Sequence, residues 1–596
     1  MSKHKMLFIL TAASLLSLAA CGRTLANSYA AGSSASTSST VASSSSKTAS
    51  SSVAVSSSNS NSSSAQSSST SASSSSTATS SSFSSSSAVS SSSSPSVATE
   101  GLEFTLSYDK LSYEVYRYTG TSADVFIPEV YENLPVKSVG KYAFQKCTDL
   151  VSVSLPSSLT FIGNCAFYGC TKLAGITIPS SVTNIYMGAF AGCTGLKSFS
   201  VDPANENFET DGKALYNKGK TTLFQYAIGL SDTSYTLPST LTKILSAAFA
   251  GCTKLTGISI PSSVTDIGGG VFNNCTGLTS VELSSRLTSI PAYAFYGCTK
   301  LTGITIPSSV TSIGEDAFEN CSALTNANLP ATLTSIGKWA FQKCVSLTNV
   351  NFATGSVLTS IDSSAFADCT GLKSISLPDS LTSIEGMVFS GCTALSSITL
   401  PASLTSIGEY VFSNCTGLTS ITLPASLTSL GYGPFSGCTA LTEIILPDGI
   451  TTLTGGAFYG CTGLTKVDLP TSLTSIGGDA FHDCSSLKAI ALPDSLTSIG
   501  SQAFDGCTAL TEITLPDAIT TVASAAFFGC TGLTKVDLPA SLTSIGEYAF
   551  KNCSSLVTLK YPGDKAAWAK VTLGNQWNKG CTLLTAVTCT DGPVTL

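Results

Sequence analysis

Residues 415–438 read Cys415-Thr-Gly-Leu418-Thr-Ser-Ile421-Thr-Leu423-Pro424-Ala-Ser-Leu427-Thr-Ser-Leu430-Gly-Tyr-Gly-Pro434-Phe435-Ser-Gly-Cys438. Apolar residues alternate toward Leu423, the pattern of a short strand. Pro424 has no N–H and stops the ladder there. A second apolar pair, Leu427 and Leu430, follows, and Gly431 turns the chain. A short helical or 3₁₀ turn then carries Phe435 inward, three residues before the next cysteine.

The frame Phe-x-x-Cys occurs at Phe144-Cys147, Phe167-Cys170 and Phe190-Cys193, resumes at Phe249-Cys252 and runs to Phe550-Cys553, giving 17 copies. Cysteines are 23 residues apart, except for 59 between Cys193 and Cys252 and 25 between Cys344 and Cys369. Leu stands three residues after every one of these cysteines, and Pro closes the strand in 14 of the 17 copies. The residue before Phe is held small: Ala in 13 copies, Val in three, and Pro434. Fixed apolar columns must face a packed interior, so Phe318, Cys321 and Leu324 represent the structural ladder. The residue two before Phe is free (Tyr142, Gly188, Asp316, Trp339, Met387, Tyr410, Gln502), and such a column is expected to face solvent. One coil cannot bury enough to fold alone, so stacked neighbours must share a core. The expected fold is a repeat solenoid of short parallel strands with 3₁₀ or helical turns.

The chain has 596 residues, 43% hydrophobic and only 11% charged, with a formal net charge of −7. About 25% charged residues is usual. The acidic balance excludes the basic footprint of a nucleic-acid binder, and the apolar content excludes a wholly disordered chain. The only histidines are His4 and His482, which argues against histidine-based catalysis and metal binding.

Lys3 and Lys5 precede an apolar stretch of 14 residues, Leu7 to Ala20. That is too short to span a bilayer, which takes about 20 helical residues, and it reads as a secretory signal. It ends Leu18-Ala19-Ala20-Cys21-Gly22, which resembles the lipobox of bacterial lipoproteins. The resemblance implies lipidation of Cys21 and a membrane anchor made of lipid. Gly22, in place of an aspartate, gives no inner-membrane retention signal and favours the outer membrane in a cell with two. Losing Lys3 and Lys5 leaves 27 Lys+Arg against 36 Asp+Glu, or −9. From Ser33 to Thr99 the chain is nearly all Ser, with Lys47 its one charge and Phe83 its one aromatic. Such a composition is expected to stay disordered. As a flexible tether it would span roughly 45–50 Å.

The repeat resembles the BspA-type leucine-rich repeats of host-associated bacteria over about residues 101–596. The resemblance implies a leucine-rich repeat solenoid curved into a right-handed superhelix. Residues 101–137, with Tyr118-Thr119-Gly120 and Leu134-Pro135-Val136, resemble the family's N-terminal cap. Residues 561–596, from Tyr561 through Trp568, resemble its C-terminal cap. The expected organisation is a lipoprotein signal at 1–20, a lipidated N-terminus and tether at 21–100, these caps, and 17 coils over 138–560. A hairpin insertion at about 201–236 adds 36 residues beyond one repeat. It is either a second structural unit or an element that contacts a ligand.

Cysteines in a line cannot converge tetrahedrally on zinc, and parallel inward side chains suit disulfides poorly. Buried, unreactive thiols are expected. Cys165 stands in the free column, where an exposed thiol is expected. Cys581 and Cys589 lie outside the ladder, and a local disulfide between them is left open. Asp379, Asp448, Asp494 and Asp517 follow strand prolines but form no unbroken row, and Glu315, Glu409 and Glu547 are scattered, so they read as surface solvation. No enzyme, cofactor or metal site is expected.

The expected role is a cell-surface binding scaffold. The resemblance implies adhesion to host matrix or plasma proteins, or to other bacteria. Candidate contact residues are Asn205, Glu206, Tyr216, Lys218 and Tyr226 in the insertion, and Tyr293, Trp339, Tyr410 and Tyr548 on the coils, since Tyr and Trp dominate interface hot spots. The alternative is an envelope spacer without a specific ligand.

Overall fold

The computed structural model of the protein describes residues 97–596. The signal, Cys21 and the serine-rich segment up to residue 96 lie outside the described residues. The rest is a parallel β-solenoid of about 19 turns.

Most turns carry two short strands. The first follows the Cys-x-x-Leu segment, as in Gly303–Thr305, which pairs in parallel with Asn326–Leu329 one turn later. Ile304 points inward while its neighbours face out, as a two-residue period requires. Proline stops this strand and opens a turn: the Pro307 carbonyl accepts from the Val310 N–H at 3.0 Å. The second strand has two residues, as in Ser312–Ile313, which pairs in parallel with Ser335–Ile336.

The third side carries the phenylalanine. It is a run of hydrogen-bonded turns, and the only helix among the described residues is Lys565–Trp568. A helix would direct its N–H groups along its own axis. Here alternate N–H groups reach the next turn: Asp316 to Lys338 at 2.9 Å, Phe318 to Ala340 at 2.7 Å and Asn320 to Gln342 at 2.8 Å. The backbone achieves this with two left-handed residues per turn, two before and two after Phe. In this coil they are Asp316 (φ 55°) and Asn320 (φ 60°). The position after Phe is mostly Gly, Asn or Asp, the residues that tolerate this region.

From Phe249 to Phe550 the rings form one stack, with centroids 5.0–5.8 Å apart and planes within 19° of parallel. Tyr226 closes one end at 5.3 Å and Trp577 the other at 6.2 Å. Phe318, Cys321 and Leu324 are fully buried. The fixed cysteine has a specific task. The Phe295 carbonyl accepts the Cys298 N–H of its own turn at 3.1 Å. It also accepts the Cys321 thiol of the next turn at 3.1 Å. Repeated up the stack, the thiol is a small buried donor that ties each turn to the one before.

Threonines tie the outer edges in the same way. The Thr311 hydroxyl donates to the Thr288 carbonyl at 3.1 Å, and Thr334 to Thr311 at 2.9 Å.

Both ends are closed by antiparallel pairs. Leu102–Leu106 pairs with Tyr113–Tyr118, which lies parallel to Leu134–Val139. Gly592–Thr595 covers Ala586–Cys589. Such covers remove strand edges that would otherwise recruit another chain. Contrary to the expected exclusion of Cys581 from the ladder, its thiol donates to the Phe550 carbonyl at 2.9 Å. Trp577 stands one residue before the phenylalanine place, which Asn578 takes between left-handed Gln576 and Gly580, so a further turn lies inside the cap. Cys581 and Cys589 are both free thiols.

Burial disfavours the thiolate at Cys321, Cys344, Cys415 and Cys507 and pushes Cys461 up to about 12. The thiolate is the reactive form. Among the described cysteines only Cys147 is partly accessible, and burial raises it to about 11. Alkylation of native protein at pH 8, read by peptide mass spectrometry, is expected to mark Cys147 first and slowly. Ladder cysteines should react only after denaturant is added; prompt labelling of Cys415 or Cys461 would contradict the packing described above.

Candidate functional site

The 59-residue interval resolves into one complete turn plus a hairpin of thirteen residues beyond two repeats of 23. Tyr226 occupies the phenylalanine place, its N–H donating to the Ala248 carbonyl at 2.8 Å. Gly229 stands where cysteine would. The expectation of 36 residues outside the repeat is therefore corrected. The missing Phe and Cys hid a coil that keeps the parallel strand ladder to Lys243–Ile244 and the Tyr226 bond to the next turn, without the two left-handed residues of the other turns.

The hairpin strands Phe208–Thr210, Ala214–Asn217 and Thr222–Tyr226 pair antiparallel, and the last continues into the parallel stack. The middle strand is a septum between two apolar cores. Leu215 packs with the core that runs from Val115 to Ala227. Ala214 and Tyr216 pack with the one that runs from Ala214 to Cys589. Tyr216 bonds to Tyr235 at 2.5 Å and Tyr235 to Asp211 at 2.5 Å, which satisfies the buried phenols.

These facts settle where the candidates lie. Asn205, Tyr216 and Tyr226 are buried and are not surface contacts. The Asn205 amide donates to the Pro179 and Val182 carbonyls at 2.7 and 3.1 Å and closes a turn by accepting from Asn207 and Phe208. Glu206 and Lys218 are exposed. Tyr293 is buried to 9% exposure. Trp339, Tyr410 and Tyr548 are half-buried on the turn face. The free column is thus not simply a solvent column. It is the left-handed position before Phe, occupied by Tyr142, Trp339, Met387 and Tyr410 alike. Its backbone is fixed while its side chain varies.

Cys165 corrects the expectation of an exposed thiol, being 2% exposed. It packs with Tyr168, Ala191, Ala247 and Ala250, where turns on either side of the septum meet. That seam also holds a cavity of about 550 Å³, lined by Tyr142, Tyr186 and Met187 on one side and Lys243, Ser246 and Asp266 on the other. A second cavity of about 550 Å³ lies where the 25-residue interval inserts two residues after Phe352. Beside it, Asn349 donates to Asn326 at 3.0 Å and Asn351 to Asn328 at 2.9 Å, an amide block on the first-strand face.

One carboxylate cluster escaped the sequence reading. Burial pushes the Asp316 carboxyl up to about 8, reinforced by its bond to Glu319 and by Glu315. Glu319 pairs with Lys343 at 3.4 Å. Such a pair invites a catalytic reading, but Asp316 is 4% exposed and reaches no substrate while the turn is closed. Asp379, Asp448, Asp494 and Asp517 form no such cluster. Among the described residues no group of three or more His, Cys, Asp or Glu is arranged to hold a metal ion.

A family model described as the BspA type leucine rich repeat region matches in 6 copies, over residues 109–227, 220–348, 340–465 and 451–581. The chain belongs to this family. The BspA-type repeat runs without a break across the septum, as the recovered coil at Tyr226 requires. A leucine-rich repeat protein from Bacteroides ovatus is 26% identical, covering 82% of this chain and 98% of that one with a TM-score of 0.34. A leucine rich cell surface protein from Faecalibacterium prausnitzii is 28% identical, covering 61% and 97% with a TM-score of 0.35. The pneumococcal vaccine antigen PcpA is 17% identical, covering 68% and 93% with a TM-score of 0.31. No curated protein matches the chain. The matched BspA-type model is a structural repeat and indicates no catalytic class.

The Asp316 carboxyl predicts a pH effect. Its native value near 8 lies above the unfolded 3.8, so the folded state binds the proton more tightly. Its contribution to stability is complete below about 4 and is lost as pH rises toward 8. Asp316→Asn is expected to melt higher than the parent at pH 8 and level with it near pH 4. Equal melting temperatures at both pH values would show that the carboxyl is ionised in the native state.

Proposed function

We propose that this protein is a surface-displayed interaction scaffold, held by a lipid on Cys21 and projected by the serine-rich segment. The observation that carries the reading is a division of labour among columns. Inward positions repeat nearly unchanged, while the turn face changes from coil to coil over an invariant backbone. That is how one scaffold presents many different side chains. Leucine-rich repeat folds serve protein–protein recognition, and the F. prausnitzii relative is described as a cell surface protein.

The faces differ in what they suit. The second-strand face repeats Thr-Ser in most turns, and its threonines are engaged in cross-ties such as Thr405 to Thr382 at 3.1 Å. So uniform a face favours spacing and stiffness, the role of the second reading. The turn face offers Trp339, Tyr410, Tyr432, Tyr459 and Tyr548 on different turns. Partner contacts are assigned there and to exposed Glu206 and Lys218 on the hairpin. The proposed partners are host matrix or plasma proteins, or the surfaces of other bacteria.

The test is saturable capture of matrix and plasma proteins by the purified full chain, with protease accessibility on intact cells and fatty-acid labelling lost in Cys21→Ser. Removing residues 201–236 would take out the septum, so the hairpin is tested with Glu206→Ala and Lys218→Ala. Each should change stability by no more than about 0.5 kcal/mol. Tyr216→Ala is the structural contrast and should cost about 3–5 kcal/mol. A folded, surface-exposed protein that captures nothing would move the assignment to the spacer.

A further inference from the structure

The turn face treats its aromatics in two ways. Near the ends and the middle, a lysine of the same turn lies over the ring. Lys141 lies 4.9 Å from the Tyr142 centroid, Lys338 lies 3.9 Å from Trp339 and Lys551 lies 4.3 Å from Tyr548. A cation above an aromatic face is attracted by the ring quadrupole. These rings therefore already have their cations.

Between Glu385 and Cys507 the pattern reverses. The six turn segments here, from Glu385-Gly386-Met387 to Gln502-Ala503-Phe504, contain no lysine or arginine. They carry Glu385, Glu409, Asp479, Asp483 and Asp505 instead. They also hold the largest run of exposed turn-face aromatics. Tyr410 meets Tyr432 at 5.4 Å, edge to face. Tyr432 lies flat over Gly455 and Gly456: a Cβ on Gly455 would sit 2.8 Å from its ring and one on Gly456 3.3 Å. The Tyr459 N–H bonds to the Gly456 carbonyl at 3.0 Å, so both rings sit on one turn. Tyr459 in turn stacks on His482 at 4.7 Å with planes 18° apart. Tyr432 and Tyr459 remain 44% and 43% exposed.

The carboxylates gather at one end of this strip. Asp479 lies 3.4 Å from the His482 ring, Asp483 3.5 Å and Asp505 3.9 Å. Burial holds the Asp505 carboxyl above its ordinary range, and Asp483 and Asp479 add to the rise, while the imidazole opposes it. The strip thus combines bare aromatic faces with an excess of negative charge. Elsewhere on the turn face the protein covers such rings with its own lysine.

We infer that the Tyr410–Tyr432–Tyr459–His482 strip, with Asp479, Asp483 and Asp505 at its end, docks a lysine- or arginine-bearing segment of a partner protein. The partner's cation takes the place that Lys338 and Lys551 hold over Trp339 and Tyr548, and its charge is matched by the aspartates. The glycine pair under Tyr432 keeps that ring flat and accessible. This assignment rests on the interaction-scaffold reading and names the surface and the partner chemistry for it.

The test titrates the purified full chain against a fluorescein-labelled peptide of alternating lysine and glycine, followed by anisotropy at physiological salt. The matched glutamate peptide and a neutral oligosaccharide serve as comparison ligands. Saturable binding of the lysine peptide is expected, weakened about tenfold by Tyr432→Leu with Tyr459→Leu. A similar loss is expected from Asp479→Asn with Asp483→Asn. The control pair Glu443→Gln with Glu512→Gln removes as much charge from the first-strand face and should change affinity less than about twofold. Equal losses in the control pair, no loss in the tyrosine pair, or displacement of the peptide by the oligosaccharide would each overturn the assignment. The two readings fail separately. Matrix-protein capture without peptide binding sinks this surface alone, and peptide binding without any capture sinks the scaffold reading.

Discussion

Each phenylalanine carbonyl in the stack accepts two donors: the N–H of its own cysteine and the thiol of the cysteine one turn later. A buried carbonyl needs its partners, and few side chains small enough for the site can donate. Serine would bring a more strongly hydrated hydroxyl, and alanine would bring no donor. The cysteine column is thus neither a metal site nor a disulfide framework. It holds the turns in register at the spacing that lets the phenylalanine rings stack.

That spacing governs the exterior as well. To send alternate N–H groups to the next turn, the chain adopts a left-handed residue on each side of phenylalanine. Tyr, Trp and Met accept this at position 410, 339 or 387, although such a backbone costs roughly 1–2 kcal/mol for a residue with a Cβ. The cooperative stack offsets that cost. The result is a set of rigidly aimed side chains whose chemistry can change without altering the backbone. Aromatics covered by lysine in some turns and bare beside aspartate in others are two uses of the same geometry.

The septum shows how the repeat tolerates interruption. Tyr226 keeps the stack's edge, and Gly229 dispenses with the thiol. The strand Ala214–Asn217 turns alternate side chains to two cores. The turns on either side of it then meet directly, burying Cys165 and opening the cavity beside Tyr186. None of this follows from local pattern. Cys165 occupies a column in which Trp339 and Gln502 reach solvent, and packing with Tyr168, Ala191, Ala247 and Ala250 buries it.

Sequence alone determined the repeat, its period and the identity of the inward columns. Phe318, Cys321 and Leu324 can be placed inside because packing between identical turns imposes the same residue in every copy. It also determined that residues near both ends must close the stack, because an uncovered turn leaves strand edges unpaired. Only the tertiary structure decided which variable positions share a surface. Tyr432 and Tyr459 come from different columns of successive turns, and His482 from a third turn. Their adjacency depends on how one turn sits on the next. It decided, too, that a coil without Phe or Cys was still a coil, since backbone hydrogen bonds survive a change of side chain that erases the pattern.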